Sequence, residues 1–544
     1  MKATGRMCHI VALPYPGRGH INPMMNLCKL LVSRNPNVFI TFVVTEEWLS
    51  FIGSGHGNHN NIRFETMPNV IPSELVRARD FLAFVESVST KMEAPFEKVL
   101  DFLQVEAPVV SAIIADTFLV WAVDVGNRRN IPVASFWSMS ASLFSVFHHF
   151  ELLVQNGHFP VELSERGEEA VDYIPGLAST KLADLPTIFY GSGRQTLQRA
   201  LESVSKVSKA QCLLLSSVYE LEAKVNDTLK AKFPFPVYPI GPTIPYFEIK
   251  SNLLTSTSLN INNEPDNYFH WLDSQPDSSV LYVSLGSLWS VSSVQMDEIV
   301  AGVRNSGVRF FWVSRGDTSW FKDGCVDRGI VVPWCDQLKV LCHSSIGGFW
   351  THCGLNSTLE AAYAGVPMLT FPIMMDQVPN TKLIVEDWKI GWRVKKPEIG
   401  IESLVTRDEI TELVKRFMDL NNDERKAMNF DSNVDTGKIQ AATSLCRIVA
   451  MPYPGRGHIN PMMNFCKLIA SRKDYVLVTF AVTEEWLGFI SSDFHHDNNI
   501  SLVTIPNVIP SELGRGSEFL GFFEAAMTKS KLPLSRFLIS FICL

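Results

Sequence analysis

Short, continuous apolar runs alternate with longer stretches of helical spacing along most of this chain. Residues 9–13 form a compact β run, and apolar positions recur at helical spacing through 21–33. The β-branched and aromatic run 38–44 follows, and 111–115 and 133–136 repeat the strand pattern on either side of a helix-like segment around Trp121 and Val125. Apolar strands interleaved with amphipathic helices predict a parallel sheet covered on both faces.

Near Pro242 the texture changes. Residues 242–265, rich in Ser, Thr and Asn, read as an interdomain linker. A second alternating series then begins, with strand candidates at 280–285, 309–313, 346–350 and 368–371. The predicted architecture is α/β: two doubly wound, Rossmann-like domains facing across a cleft, the first over 1–241 and the second over 266–430. Ligands in such sheets sit at the carboxyl ends of the strands.

Residues 446–513 repeat 8–75 without a gap, with roughly two-thirds of positions identical. MPYPGRGHINPMMN copies LPYPGRGHINPMMN, and VTEEWLGFI copies VTEEWLSFI. The segment 446–544 is therefore expected to be an incomplete third α/β segment. It carries His458 in the copied turn but no counterpart of Asp116, and is expected to be catalytically silent.

The 544 residues are 46% hydrophobic, enough for two sizeable cores. A net charge of -8 with scattered basic residues gives no electrostatic case for nucleic acid or an anionic membrane as partner. Ten cysteines without paired CxxC spacing suggest reduced thiols. The first apolar run is soon interrupted by Pro14 and Pro16, so it reads as a strand rather than a signal peptide, and no stretch reaches the roughly 20 apolar residues of a membrane span. A cytoplasmic, monomeric protein is the expectation.

Two segments carry candidate chemistry. PGRGHINP follows the first strand and opens a helix, placing His20 at the helix N-terminus, where the dipole favours a neutral ring available as a base. Gly17 and Gly19 would let the turn approach a ligand. Asp116, in IIADTF, lies past another strand on the same edge, where a carboxylate can hold the His20 tautomer. A helix cap and a strand end explain the same residues equally well. Dinucleotide binding fits less, because Asn22 stands where that fingerprint has its third glycine.

The second segment is 334–377, WCDQLKVLCHSSIGGFWTHCGLNSTLEAAYAGVPMLTFPIMMDQ. THCGLNST leads from a strand into a helix, so backbone N–H groups there, with Gly354, Asn356 and Ser357, make an anion site suited to pyrophosphate. His352 adds a donor. Glu360 can accept two ribose hydroxyls, Trp334 offers a face for stacking on a base, and Asp376 and Gln377 suit sugar hydroxyls. Singly, Trp334 could be core and Glu360 a solvated helix residue. Cys335, Cys342, His343 and Cys353 lack metal-ligand spacing, and no metal site is expected.

This segment resembles the signature box of plant secondary-product UDP-glycosyltransferases, which have the two-domain GT-B fold. The resemblance extends from Met7 to about Arg425. It implies that Trp334 stacks on uracil with Cys335 and Gln337 beside it, and that Glu360 binds ribose. It further implies that His352, Asn356, Ser357 and Ser287 hold the phosphates, that Asp376 and Gln377 hold the sugar, and that His20 and Asp116 form the catalytic dyad. The implied reaction is inverting transfer of a hexose, glucose by the Gln377 position, from a UDP-sugar to a hydroxyl or carboxyl of a small lipophilic plant metabolite, with no metal or other cofactor. The aromatic-rich stretch 136–150 is open between acceptor pocket and core. Two departures stand out: Leu355 replaces the Trp the family usually carries after HCG, and the family's long C-terminal helices are cut short after ERKAM. The rival readings are a UDP-sugar-binding protein without turnover and a nucleotide-sugar epimerase on the same fold.

Overall fold

The computed structural model describes residues 7–52, 61–77, 79–106, 108–190, 194–246, 267–286, 291–314, 328–394 and 404–428. In the C-terminal repeat it describes 446–450, 452, 459–464, 466–467, 476–490, 500–505 and 507. The chain divides into two compact units, Met1–Ile439 and Gln440–Leu544.

The first unit holds two large parallel sheets. The first contains β1 (Cys8–Leu13), β2 (Val38–Thr45), β3 (Ile62–Met67), β4 (Val110–Asp116) and β5 (Val133–Trp137). A small hairpin of β6 (Ala170–Val171) and β7 (Thr180–Lys181) interrupts the series before β8 (Cys212–Leu215) and β9 (Val237–Pro239) rejoin it. Strand order is β3-β2-β1-β4-β5-β8-β9. The order reverses at β1, whose neighbours are β2 on one side and β4 on the other. This is the switch point where a crevice opens at the carboxyl edge.

The second sheet comprises β10 (Val280–Ser284), β11 (Arg309–Val313), β12 (Gly329–Val332), β13 (Ile346–Thr351), β14 (Met368–Thr370) and β15 (Gly391–Arg393), in the order β12-β11-β10-β13-β14-β15. Its switch point lies between β10 and β13. The two doubly wound sheets agree with the expected fold class.

These strands form because both faces are buried. Ile10, Val11, Ala12 and Leu13 are each no more than 2% exposed, which is why the run reads as continuously apolar rather than alternating. Helix ends are set by local chemistry. The helix Arg407–Met418 starts with a reciprocal capping box between Thr406 and Glu409. The helix Ser293–Ser306 ends on Gly307 in the left-handed conformation.

The aromatic stretch 136–150 resolves as core. Phe136, Trp137, Phe144, Phe147 and Phe150 are all buried, and Trp137 packs edge-on against Phe144. Of the expected linker, only 242–246 is described. There Thr243 accepts from the Asn26 amide through its main-chain oxygen (3.0 Å).

The second unit has a parallel sheet of β16 (Cys446–Ala450), β17 (Val476–Thr483) and β18 (Ile500–Ile505). Its registers reproduce those of the first copy: Cys446 pairs with Val476 as Cys8 pairs with Val38, and Val478 with Ile500 as Ile40 with Ile62. Ile459, Met463, Val478, Phe480 and Trp486 form its small core. His458 lies outside the described residues. No helix among the described residues is long and apolar enough to cross a membrane.

Candidate active site

β1 delivers the chain to the switch point, where residues 14–17 turn into the helix Arg18–Arg34. Gly17 caps this helix without a side chain, and its carbonyl accepts from the N–H groups of His20 and Ile21 (3.0 and 2.9 Å). Leu13 is paired with Ala115 of β4, so the next residue of β4, Asp116, emerges beside the turn. His20 Nδ1 lies 2.8 Å from Asp116 Oδ2. The carboxylate is almost wholly buried (1% exposed), whereas the imidazole is 22% exposed. A buried carboxylate can only accept, so Nδ1 carries the proton and Nε2 keeps its lone pair. Asp116 Oδ1 is held by the Phe118 N–H (3.0 Å).

Sequence reasoning missed Ser138. It follows β5, the neighbour of β4, and its Oγ sits 2.9 Å from His20 Nδ1 as a second partner for that proton. Its position one strand away from Asp116 was the available signal. The rings of Tyr15 and Phe118 flank the imidazole at 5.2 and 5.9 Å between centroids. Gly17, expected to admit a ligand, makes room instead for Arg77: a Cβ there would lie 2.6 Å from Nη1. That same nitrogen donates to Pro16 O at 2.9 Å, bracing the turn.

In the second sheet Ser284 pairs with Thr351, so the chain leaves β10 and β13 side by side. His352 follows β13, with its ring between two glycines. A Cβ on Gly286 would be 2.9 Å from the ring, and one on Gly354 would be 2.7 Å from Nε2. Gly286 also needs its freedom, having φ +87°. Burial pushes the His352 pKa down to about 4, so the ring is neutral near pH 7. A bond to the Ser284 main chain acts in the opposite direction without reversing the shift. Gly354 is the N-cap of the helix Leu355–Ala364 and offers no side-chain cap, leaving first-turn N–H groups open. Leu355 is buried in the core of this domain. Ser287 lies outside the described residues.

The nucleotide candidates form one network. Gln337 Nε2 donates to Ser357 Oγ (2.9 Å) and to Glu360 Oε2 (2.6 Å), while its Oε1 accepts from the Tyr282 hydroxyl (3.0 Å). Burial raises the Glu360 pKa to about 7, with the Gln337 bond acting in the opposite direction. Trp334 is 59% exposed, leaving the indole face free of core packing. Cys335 differs: its thiol is buried against Tyr282, with Sγ 3.5 Å from the hydroxyl, so only its main chain can reach a ligand.

Asp376 precedes the helix Gln377–Lys382. Burial raises its pKa, partly offset by the Asn380 amide and by His20 in the first domain. Asn380, also missed in the sequence, donates from Nδ2 both to Asp376 Oδ2 and to Cys353 O (each 2.9 Å), tying together the turns that follow β13 and β14. Its spacing of four from Asp376 on a helix was the readable clue. Gln377 is not a free sugar ligand through its carbonyl, because Oε1 accepts from the N–H groups of Ile373 and Met374 (2.8 and 3.1 Å).

The two halves meet directly. Asn356 Nδ2 donates to Gly19 O at 3.1 Å, so the start of the second domain's helix is tied to the turn carrying His20. The arrangement presents an imidazole oriented by a carboxylate on one wall. On the other wall are a helix N-terminus, a half-buried neutral His and a half-buried carboxylate.

A family profile described as "UDP-glucoronosyl and UDP-glucosyl transferase" matches residues 19–406. UDP-glycosyltransferase 87A2 of Arabidopsis thaliana is 54% identical over 421 residues, covering 77% of this chain and 90% of that protein. The 7-deoxyloganetin glucosyltransferase of Catharanthus roseus is 33% identical over 442 residues, covering 75% and 88%. Among solved structures, Phytolacca americana UGT2, complexed with UDP-2-fluoro-glucose and pterostilbene, superposes with a TM-score of 0.65 at 27% identity, over 80% of this chain and 95% of that one. Switch-point sites in two doubly wound sheets, the profile match and the 54% identity lead to one conclusion: the chain is a glycosyltransferase and belongs to the plant UDP-glycosyltransferase family.

Proposed function

We propose that this enzyme transfers glucose from UDP-glucose to a hydroxyl of a small lipophilic acceptor, with His20 as general base. The observation that carries the reading is the His20 Nδ1–Asp116 Oδ2 bond of 2.8 Å on the cleft wall. With Nδ1 committed as donor, Nε2 takes the proton from the acceptor O–H. The acceptor oxygen then forms a bond to the anomeric carbon as the bond from that carbon to the UDP oxygen breaks. This single displacement inverts the configuration and needs no covalent intermediate. Asp116 stabilises the imidazolium that forms. Leaving-group charge on UDP is met by the open N–H groups at Leu355–Ala364 and by the neutral His352 ring acting as donor.

On the donor side, Trp334 stacks on the base and Glu360 accepts from the ribose diol. Asp376, raised by burial and held by Asn380, takes sugar hydroxyls. The Catharanthus relative is a glucosyltransferase and the Phytolacca one is complexed with UDP-2-fluoro-glucose, which supports glucose as donor. Tyr15 and Phe118 beside His20 supply an apolar acceptor wall.

The test is recombinant full-length protein with UDP-glucose and a panel of phenolic and terpenoid alcohols, followed by product detection and release of UDP. Transfer dependent on an acceptor, with inverted product, is expected. UDP-glucose binding without acceptor-dependent turnover across the panel would overturn the reading.

A further inference from the structure

Outside the groups used above, the first domain grips the second along residues 182–189, which form two short turns, Leu182–Asp184 and Thr187–Phe189. We propose that Thr187 is a positioning residue for sugar recognition: by holding Met375 it sets the placement of Asp376 from the opposite domain. This rests on the reading of Asp376 as the sugar-binding carboxylate.

The contact engages the main chain of one residue completely. Thr187 Oγ1 accepts from Met375 N–H at 2.7 Å, and Thr187 N–H donates to Met375 O at 3.4 Å. The Met375 side chain packs against the first domain's core cluster, which contains Trp137, Ile188 and Phe189. Met375 has φ +57°, a left-handed conformation that a non-glycine residue keeps only when its surroundings hold it there. The grip supplies that hold, and Asp376 is the next residue. A second anchor lies three residues earlier on the same segment: Arg393 Nη2 donates to Asp184 Oδ1 (3.1 Å), with both side chains largely buried, and also pairs with Glu386 (2.7 Å). The segment is thus fixed to β15 at one end and to the 374–376 turn at the other.

The arrangement has a direct consequence for catalysis. Asp376 lies close enough to feel the charge of His20, so a shift of the 374–376 turn moves the sugar relative to the base. Trp334 and the network of Gln337, Ser357 and Glu360 lie on other elements and make no contact with Thr187 through these bonds. Losing the grip therefore separates sugar recognition from UDP recognition.

The experiment compares T187V, T187S and D376N in the full chain. Affinities for UDP and for UDP-glucose are measured by calorimetry, and kcat and KM with an acceptor identified as above. Thr187→Val keeps the volume and the main-chain N–H but removes the accepting oxygen. In T187V the UDP affinity is expected to stay within about twofold of wild type, while UDP-glucose affinity and kcat each fall about tenfold, the worth of one buried hydrogen bond. T187S should recover most of both. If T187V folds poorly, Thr187→Ala replaces it in the same comparison. Equal losses for UDP and UDP-glucose, no loss for either, or a T187S variant as weak as T187V would overturn the proposal. D376N separates the two layers. If D376N loses the sugar contribution while T187V keeps it, the grip fails alone. If D376N binds UDP-glucose like wild type, the assignment of Asp376 fails and takes the grip with it.

Discussion

Asn356, the second residue of the helix Leu355–Ala364, donates its side-chain amide to the carbonyl of Gly19, the residue before His20, at 3.1 Å. A residue expected to meet phosphate thereby also touches the turn that carries His20, and its Oδ1 is buried without a partner. Asn356→Ala should lower kcat/KM for the donor by about tenfold or more, combining one lost hydrogen bond with looser registration of the two walls. Steady-state kinetics at saturating acceptor would check this, and an unchanged kcat/KM would remove Asn356 from the site.

His20→Ala should reduce transfer by roughly 10²–10⁴-fold, the usual worth of a general base, with UDP affinity retained because the nucleotide network lies in the other domain. Asp116→Asn should show a comparable loss, since an amide can donate to Nδ1 and select the wrong tautomer. Ser138→Ala should cost less, about threefold to tenfold, because Asp116 remains as a partner for Nδ1. A Ser138 variant as impaired as the His20 variant would show that the hydroxyl has a further role.

Glu360 gives a pH signature. Its folded pKa is raised by burial to about 7 from the ordinary 4.5. Between those values the folded protein holds a proton that the unfolded chain has released, so this group's contribution to stability is full below about 4.5 and is lost as pH rises through about 7. Ligand binding runs the other way. A ribose diol donates to the ionised carboxylate, so UDP affinity should climb with pH through about 7 and then level off. Glu360→Gln should flatten both profiles, as measured by melting temperature and by UDP titration between pH 5.5 and 8.5. A UDP affinity that falls with pH in the wild type would contradict the assignment.

Gly286→Ala should raise the donor KM severalfold and destabilise the protein by about 1–2 kcal/mol. The new Cβ would sit 2.9 Å from the His352 ring, on a backbone at φ +87°. Kinetics and thermal melting together check this. A stable variant with wild-type donor KM would show that the ring has room to move.

The central strands were legible because a parallel strand covered on both faces cannot alternate, and residues 10–13 announce themselves as an unbroken apolar run; the strand order, and with it the switch points, came only from the fold. The candidate residues were legible where a motif is local: His20 in its turn, and Asn356, Ser357 and Glu360 on one helix. What stayed hidden depends on distant pairing. Ser138 is 118 residues from His20 in sequence and Thr187 is 188 from Met375. Both are ordinary polar residues until the fold brings them to a partner. The inward turn of Cys335 and the use of Gln377 Oε1 by its own loop were equally invisible, since residue type does not reveal which way a side chain faces.

The matching registers of β1/β2/β3 and β16/β17/β18 make the chain its own internal control. Nearly the same string of residues occurs twice, once with β4 alongside and once in a three-stranded sheet. In both settings the N–H of a Trp returns to a Thr hydroxyl, Trp48 to Thr45 and Trp486 to Thr483, at 3.3 and 3.4 Å. A Glu N–H likewise meets an Asn side chain in each, Glu47 with Asn69 and Glu485 with Asn507. Register and turn chemistry are therefore written into these 68 residues themselves, whereas the proposed dyad also draws on a carboxylate from outside them: His20 has Asp116, at the end of β4, as its partner.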